Sequence, residues 1–253
     1  MPQFAWISRP DGPTGFGLAF TNRLGGVSRP PFDSLNLGNS SHDDPAAVEL
    51  NLERLRRRLG LDHLVGVAQH HGRTVWSPDP VGPLAAVTAA GAKADALVSG
   101  RPGVGLLIRV ADCLPVLLVD RRRRLVAAAH AGRVGLLGGV LEATVADLRR
   151  RGADQVEAWI GPHVCAACYE VPAEMAEAAW RRLPACRASS ASGTPAIDLA
   201  GGAVAILAGL GCRVQRQDPC TVERDDLFSY RRDGAASGRL GAVVWLAGAG
   251  QSA

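Results

Sequence analysis

His71, Cys113 and His130 each stand at the end of an apolar run with the character of a buried strand. A thiolate and two neutral imidazoles make the ligand set of a catalytic zinc, which takes three protein ligands and leaves a fourth position open. The same trio also fits a cysteine nucleophile served by a histidine base. A sulfur ligand selects zinc over magnesium or calcium, which prefer oxygen. Cys165 and Cys168 form a C-x-x-C, a weak zinc or redox signal because no second pair accompanies it.

The elements that must position these residues are legible in outline. Phe16 to Thr21 reads as a strand running into a turn at Gly25 and Gly26. A polar, proline-bearing segment from Ser28 to Asn39 follows, long enough to expect a functional loop. Asp43 or Asp44 caps a helix with Pro45 in its first turn; Val48, Leu52, Leu55 and Leu59 give its apolar face, and Gly60 ends it. Leu64 to Ala68 delivers Gln69, His70 and His71 to a strand end. Val104 to Val110 and Leu114 to Asp120 are strands separated only by Ala111, Asp112 and Cys113, which sets the cysteine at a kink. Leu125 to Ala129 leads to His130, then through Gly132 and Gly135 to one helix over about 136 to 150, a placement at a strand end beside a helix N-terminus that suits a site in an α/β protein.

Further strands are expected at Val156 to Ile160, Val214 to Gln217 and Gly241 to Leu246, with helices from Pro172 to Leu183 and from Leu199 to Leu210. Ser189 to Pro195 reads as a loop. Strands and helices alternate, but hairpins join several strands, so the sheets should be mixed. Nothing in the middle of the chain reads as a linker, and residues 1–253 are taken as one domain.

At 47% hydrophobic and 21% charged residues, the chain has the composition of an ordinary globular protein. Its formal charge of +4 does not point to nucleic acid, since Lys93 is the only lysine and the arginine skew accompanies abundant alanine and glycine. The run Arg121 to Arg124 reads as a solvated hairpin turn, and Arg56 to Arg58 as a solvated helix face. The first residues, MPQFAWISRPDG, lack the basic lead and apolar stretch of a signal peptide, and no apolar run is long enough to span a bilayer. A cytoplasmic protein with reduced thiols and no membrane partner is expected.

The strings TNRLGGVS, SLNLG, QHHGRTV, ADCLPVLLVD, AAHAG, IGPHVCAACYEV, IDL and CTVERDDLFSYRRDG, the last followed by GR, occur in the order and spacing of the YfiH-like proteins. That family is also called the multicopper polyphenol oxidase (laccase) domain family, the purine nucleoside phosphorylases related to the human laccase-domain protein, or peptidoglycan editing factors. The resemblance runs from about Thr21 to Leu246. It implies a single-domain α/β fold of two mixed sheets packed between helices, distantly similar to toxin deamidases that use a Cys-His pair. It also implies a mononuclear metal site on His71, Cys113 and His130, with His70 at a variable position.

The implied activity is phosphorolysis of adenosine, inosine, guanosine and methylthioadenosine, with deamination of adenosine beside it. Zinc is the expected metal, with copper as its substitute. Deamination would use a water activated at the open metal position, with Glu170 or Asp112 moving the proton; for Asp112 an orienting hydrogen bond is the stronger expectation. Phosphorolysis needs phosphate held by charge-assisted bonds, for which Arg23, Arg232 and Arg239 stand out. Asn36 is a candidate for ribose or base, and Phe228 and Tyr230 for stacking on a purine. Where the family has Trp-Arg after its His-Ala-Gly, this chain has Arg133 and Val134, which leaves substrate preference open. Purine nucleoside and phosphate are thus the expected partners, for a monomer or small homo-oligomer. The alternatives are a thiol hydrolase or amidase editing peptidoglycan precursors with Cys113 and His130, a polyphenol oxidase, and a non-catalytic metal-binding module.

Overall fold

The apolar runs at 104–110, 114–120 and 125–131 are buried along their whole length, as strands are when protein covers both faces. They form the centre of the structure, a computed structural model that describes residues 1–12, 15–38, 42–79, 85–88 and 91–248. The chain starts with β1 (Phe4–Ser8) and β2 (Phe16–Thr21) and reaches α1 (Pro45–Leu59) through a long connection in which residues 35–38 are buried. Four short strands follow: β3 (His63–Gly66), β4 (Val75–Trp76), β5 (Val87–Thr88) and β6 (Ala96–Ser99). The long strands β7 (Val104–Val110), β8 (Leu114–Asp120) and β9 (Leu125–Ala131) lead to α2 (Arg133–Gly138) and α3 (Val140–Arg150). Next come β10 (Glu157–Ile160), α4 (Ala173–Arg182), β11 (Arg187–Ser189), β12 (Pro195–Ile197) and α5 (Leu199–Gly209). The chain closes with β13 (Arg213–Arg216), α6 (Tyr230–Asp233) and β14 (Leu240–Leu246).

Two six-stranded sheets result, in the orders β1-β2-β14-β7-β3-β5 and β13-β10-β8-β9-β6-β4, with β11 and β12 as a separate ribbon. Both large sheets are mixed. The first is antiparallel from β1 to β7 and parallel across β7, β3 and β5. The second is parallel only at its edges, β13 with β10 and β4 with β6. The sheets face each other across one core, to which Phe20, Leu106, Ile108 and Val244 contribute from the first and Leu117, Val126, Ala128 and Trp159 from the second. On the outside, α1 covers the first sheet with Val48, Leu52, Leu55 and Leu59. The second sheet is covered by α3 and α5 through Leu141, Val145, Leu148, Ala203 and Leu207. This is the expected α/β architecture of two mixed sheets between helices.

Local signals act as the sequence implies at α1: the Asp44 side chain accepts from the Ala46 N–H at 2.9 Å, and Gly60 ends the helix at φ 69°. Three details differ from expectation. The helix expected over 136–150 is two helices, because Gly139 takes a left-handed φ of 91° between them. His130 lies within β9 and pairs with Pro115 rather than standing beyond the strand. Ser189 and Pro195 are paired ends of the β11–β12 ribbon, which leaves a shorter turn between them. Of the expected long loop, Asn39 lies outside the described residues.

For function, one feature of the topology matters most. β7 belongs to the first sheet and β8 to the second, so residues 111–113 carry the chain from one sheet to the other at their common end.

Candidate functional site

Cys113 lies at that crossing, β9 brings His130 to it from within the second sheet, and the segment after β3 brings His71 from the first. One ligand atom from each of the three lies within 4.8 Å of the other two. His130 is buried, Cys113 half-buried, and His71 stands at the exposed rim. The rings of His71 and His130 meet edge to face with centroids 4.7 Å apart.

Asp95, fully buried, holds this arrangement together. The β6–β9 register pairs Ala96 with Ala129, so Asp95 falls opposite His130 one step on. Its carbonyl accepts the His130 N–H at 2.8 Å, and its Oδ1 accepts from His130 Nδ1 at 2.9 Å. That bond fixes the proton on Nδ1 and leaves Nε2 to act as ligand or base. The same carboxylate accepts the N–H groups of His71 (2.8 Å) and Gly72 (2.7 Å), and its Oδ2 is 3.0 Å from Nδ1 of His70. Burial works against this charge, but His130 and the Gly72 and His71 N–H groups prevail and hold the carboxyl down at about 2. These bonds also secure His71 in a left-handed conformation, φ 62°, which costs a non-glycine residue of order 1–3 kcal/mol unless its surroundings fix it.

Two observations test whether a metal fits. The donor set, one sulfur and two imidazole nitrogens, is that of a borderline-soft cation. Beside it Gly132 leaves open space that any side chain would fill: a Cβ there would stand 2.7 Å from His71 Nδ1 and 2.9 Å from Cys113 Sγ. The residues fit a metal. Without one, burial lowers the pKa of His130, but Asp95 and Cys113 outweigh it and raise it to about 9. His71 is pushed down, by burial first and then by the positive charge of its neighbour His130.

All three side chains open into a cavity of about 600 Å³. Its wall carries three arginines, Arg109, Arg231 and Arg239, and both tyrosines of the chain, Tyr169 and Tyr230. Its carboxylate, Asp112, is fully engaged by Thr221 Oγ1 (2.6 Å), Ser229 Oγ (2.7 Å) and the Arg231 N–H (2.5 Å). Asp112 thus orients the chain beside Cys113 and holds a left-handed φ of 83° there. Arg231 lies 5.3 Å over the Tyr169 ring, and Arg239 5.7 Å over that of Tyr230. Arg109 donates to the Val67 carbonyl at 2.6 Å, and burial lowers its pKa to about 10.

The other expected site residues lie elsewhere. Arg23 does not line the cavity; it donates to the Asp33 carbonyl and carboxylate and lies 4.6 Å over Phe228, bracing the 28–38 loop. Arg232 binds the Asp233 carboxylate and the carbonyls of Thr221, Val222, Arg224 and Leu227, so it staples that loop. Asn36 is buried and accepts the N–H groups of Gly38 and Arg239 while donating to Asp43. It supports the cavity from behind Arg239. Glu170 is exposed and stands outside the wall, one residue past Tyr169. Phe228 is buried in the core beneath Arg23, whereas Tyr230 is exposed in the cavity.

Residues 17–247 match the family described as multi-copper polyphenol oxidoreductase laccase. The chain belongs to this family. Among its laccase-family relatives, a purine nucleoside phosphorylase of Streptomyces griseus is 47% identical over 90% of this chain and 94% of its own. Another, of Streptomyces coelicolor, is 42% identical over 95% and 99%. The crystal structure of YfiH from Bacillus licheniformis superposes with a TM-score of 0.83 at 28% identity, covering 91% of this chain and 92% of that one. The resemblance to YfiH-like proteins and the fold it implied are thereby shown. Among the described residues no helix is long and apolar enough to cross a membrane.

Asp95, Arg109, Tyr169 and Arg231 are the site residues of this laccase-family member that sequence reasoning passed over. A signal existed for Arg109, a lone charge within the run VGLLIRV. For Asp95 the signal was faint, since the short run Ala96–Ser99 after it, with three apolar residues, barely registers as a strand.

Proposed function

We propose that the protein is a zinc-dependent purine nucleoside phosphorylase, acting on adenosine, inosine, guanosine and methylthioadenosine, with adenosine deaminase activity at the same site. The observation that carries this reading is the convergence of His71, Cys113 and His130 on a cavity whose wall is rich in arginine and tyrosine. The names of the Streptomyces relatives support it.

His71, Cys113 and His130 would hold the ion, which would supply Lewis acidity to this end of the cavity. Arg231 and Arg239 hold inorganic phosphate by charge-assisted bonds, while Arg109 adds positive potential from the floor. Tyr169 and Tyr230 give aromatic faces on which a purine stacks. Phosphate attacks ribose C1′ as the bond to the base breaks, so the residues' task is to hold anion and nucleoside in line. The anion role expected of Arg23 and Arg232 passes to Arg231, because those two guanidiniums lie off the cavity wall, whereas Arg239, which gives Nη1 to the Ser237 and Gly238 carbonyls, lines it. Glu170, facing solvent, receives no role.

Incubation with adenosine, with and without phosphate, tests the reading by chromatography. Adenine released only with phosphate supports phosphorolysis, and inosine formed without phosphate supports deamination. Absence of both from metal-loaded protein refutes it. A second reading, thiol hydrolysis, is favoured by the Cys113–His130–Asp95 line and the raised pKa of His130. It predicts amide cleavage that persists in chelator.

A further inference from the structure

A second cluster of potential ligands lies behind the cavity wall. Cys165, Cys168, Cys220 and Glu223 each offer one donor atom, and all four atoms lie within 4.8 Å of one another. The C-x-x-C pair brackets a 3-10 turn, Ala166–Cys168, in which the Cys168 N–H donates to the Cys165 carbonyl at 3.1 Å. Cys220 reaches them from a distant part of the chain through a parallel bridge with His163 and a 2.9 Å bond from the Thr221 N–H to the His163 carbonyl. The Cys165 N–H points at Cys220 Sγ, 3.4 Å away. A backbone donor on sulfur stabilises a thiolate. Glu223 Oε1 completes the group, 3.6 Å from Cys168 Sγ and 3.9 Å from Cys165 Sγ. Among the described residues no Lys, Arg or His forms an ion pair with Glu223.

We propose that Cys165, Cys168, Cys220 and Glu223 form a second, structural zinc site in which three thiolates and one carboxylate close a tetrahedral shell. The C-x₂-C spacing, with remaining ligands from a distant segment, is that of structural zinc sites, and all three donor types, thiolate above all, are zinc ligands. Binding sends one proton from each of the three thiols to solvent. Because these protons leave on binding, uptake should strengthen as pH rises. The site has no open face toward the cavity, since none of its four residues lines the wall.

Its effect is to tie together two loops that build the wall. One carries Val164 and Tyr169, which flank the C-x-x-C pair. The other, running on from Cys220, carries Thr221 and Ser229, the partners of Asp112. Removing the ion would loosen both sides of the cavity at once. This inference stands independently of the substrate assigned above.

Metal content by mass spectrometry, together with the absorption of the cobalt-substituted protein, decides it. Wild-type protein reconstituted with zinc should hold about two ions per chain. The variant His71→Ala/His130→Ala should keep about one, and with cobalt it should show intense sulfur-to-metal absorption. Cys165→Ser/Cys168→Ser should lose that ion and keep the other. One ion in wild type with none in His71→Ala/His130→Ala overturns the proposal, as does a thiol count two short in denaturant without reductant, which would mean a disulfide. Should the cysteine variant not fold, the histidine variant alone gives the answer.

Discussion

Replacing Asp95 by Asn keeps its shape and changes its hydrogen-bond chemistry. As a carboxylate it accepts from His130 Nδ1, from the His71 and Gly72 N–H groups and from the His70 ring. If the amide oxygen takes the Oδ1 position, His130 and His71 are still served, but the amide NH₂ then opposes the Gly72 N–H. A buried donor left without an acceptor costs about 1–3 kcal/mol. Loss of negative charge weakens the remaining bonds by about another 1 kcal/mol, since charge-assisted bonds are roughly twice as strong as neutral ones. Urea unfolding of the metal-free protein should therefore show a loss of about 2–4 kcal/mol. The bond that orients Nε2 of His130 becomes a weaker, neutral one, and disturbing such an outer partner at metal sites costs about 10–100-fold in affinity, measurable by competition with a chromogenic chelator. Wild-type zinc affinity in a folded Asp95→Asn protein would refute the claim that this carboxylate positions the ligand.

Gly132→Ala places a methyl group 2.7 Å from His71 Nδ1 and 2.9 Å from Cys113 Sγ; zinc content should fall from this centre while far-ultraviolet circular dichroism is unchanged, and full occupancy would count against the fit. Arg231→Ala should raise the KM for phosphate about tenfold or more, the value of one lost charge-assisted bond, with little change in melting temperature. Arg232→Ala should instead lower stability by about 1–3 kcal/mol, because loop carbonyls lose their donor; reversed phenotypes would mean that the two roles are exchanged. Asp120 is buried, which by itself would raise its pKa, yet the N–H groups of Arg123, Asp154 and Gln155 lower it overall. Its contribution to stability is thus present above the unfolded value near 4 and lost as pH falls through the depressed folded value. Urea midpoints at about pH 7 and pH 3 should differ less for Asp120→Asn than for wild type; equal differences would show that Asp120 is not among the acid-sensitive groups.

The long elements were legible because they carry strong, separate signals. The apolar runs of β7, β8 and β9 allow no other burial, and the Asp-Pro start and glycine end of α1 fix its limits. Both sheets also use strands of two to four residues, β4, β5 and β6, too short for a period to show. Asp95 was hidden with them. Side-chain direction was the second limit. Arg231 and Arg232 are adjacent in sequence, and only the short helix α6 turns the first toward the cavity and the second toward the loop carbonyls. Arg23, beside its glycine turn, and Asn36, within the long loop, carry the polar chemistry a ligand would need, but the loop's own groups engage both. The C-x-x-C pair looked incomplete because its companion, Cys220, is far from it in sequence and reaches it through the pairing of His163 with Cys220.

The trio at the crossing depends on register more than on local sequence. His130 faces Cys113 and His71 because β8 and β9 pair Pro115 with His130, and Asp95 meets His130 because β6 and β9 pair Ala96 with Ala129. A slip of one residue in either ladder would turn the imidazole or the carboxylate to the opposite face of the sheet. What opposes such a slip is the packing on both faces: Leu117, Val126 and Ala128 fill the core between the sheets, and Val116, Ala127 and Ala129 pack beneath the outer helices. Exchanging those two sets would place the smaller side chains where the larger ones fit. The two cores on either side of the second sheet therefore determine which side chains reach its end. On this account Ala127→Leu, which overfills the outer core remote from any ligand, should lower zinc affinity together with stability. A variant that unfolded more easily yet bound zinc as tightly as wild type would separate register from ligand geometry and refute the dependence.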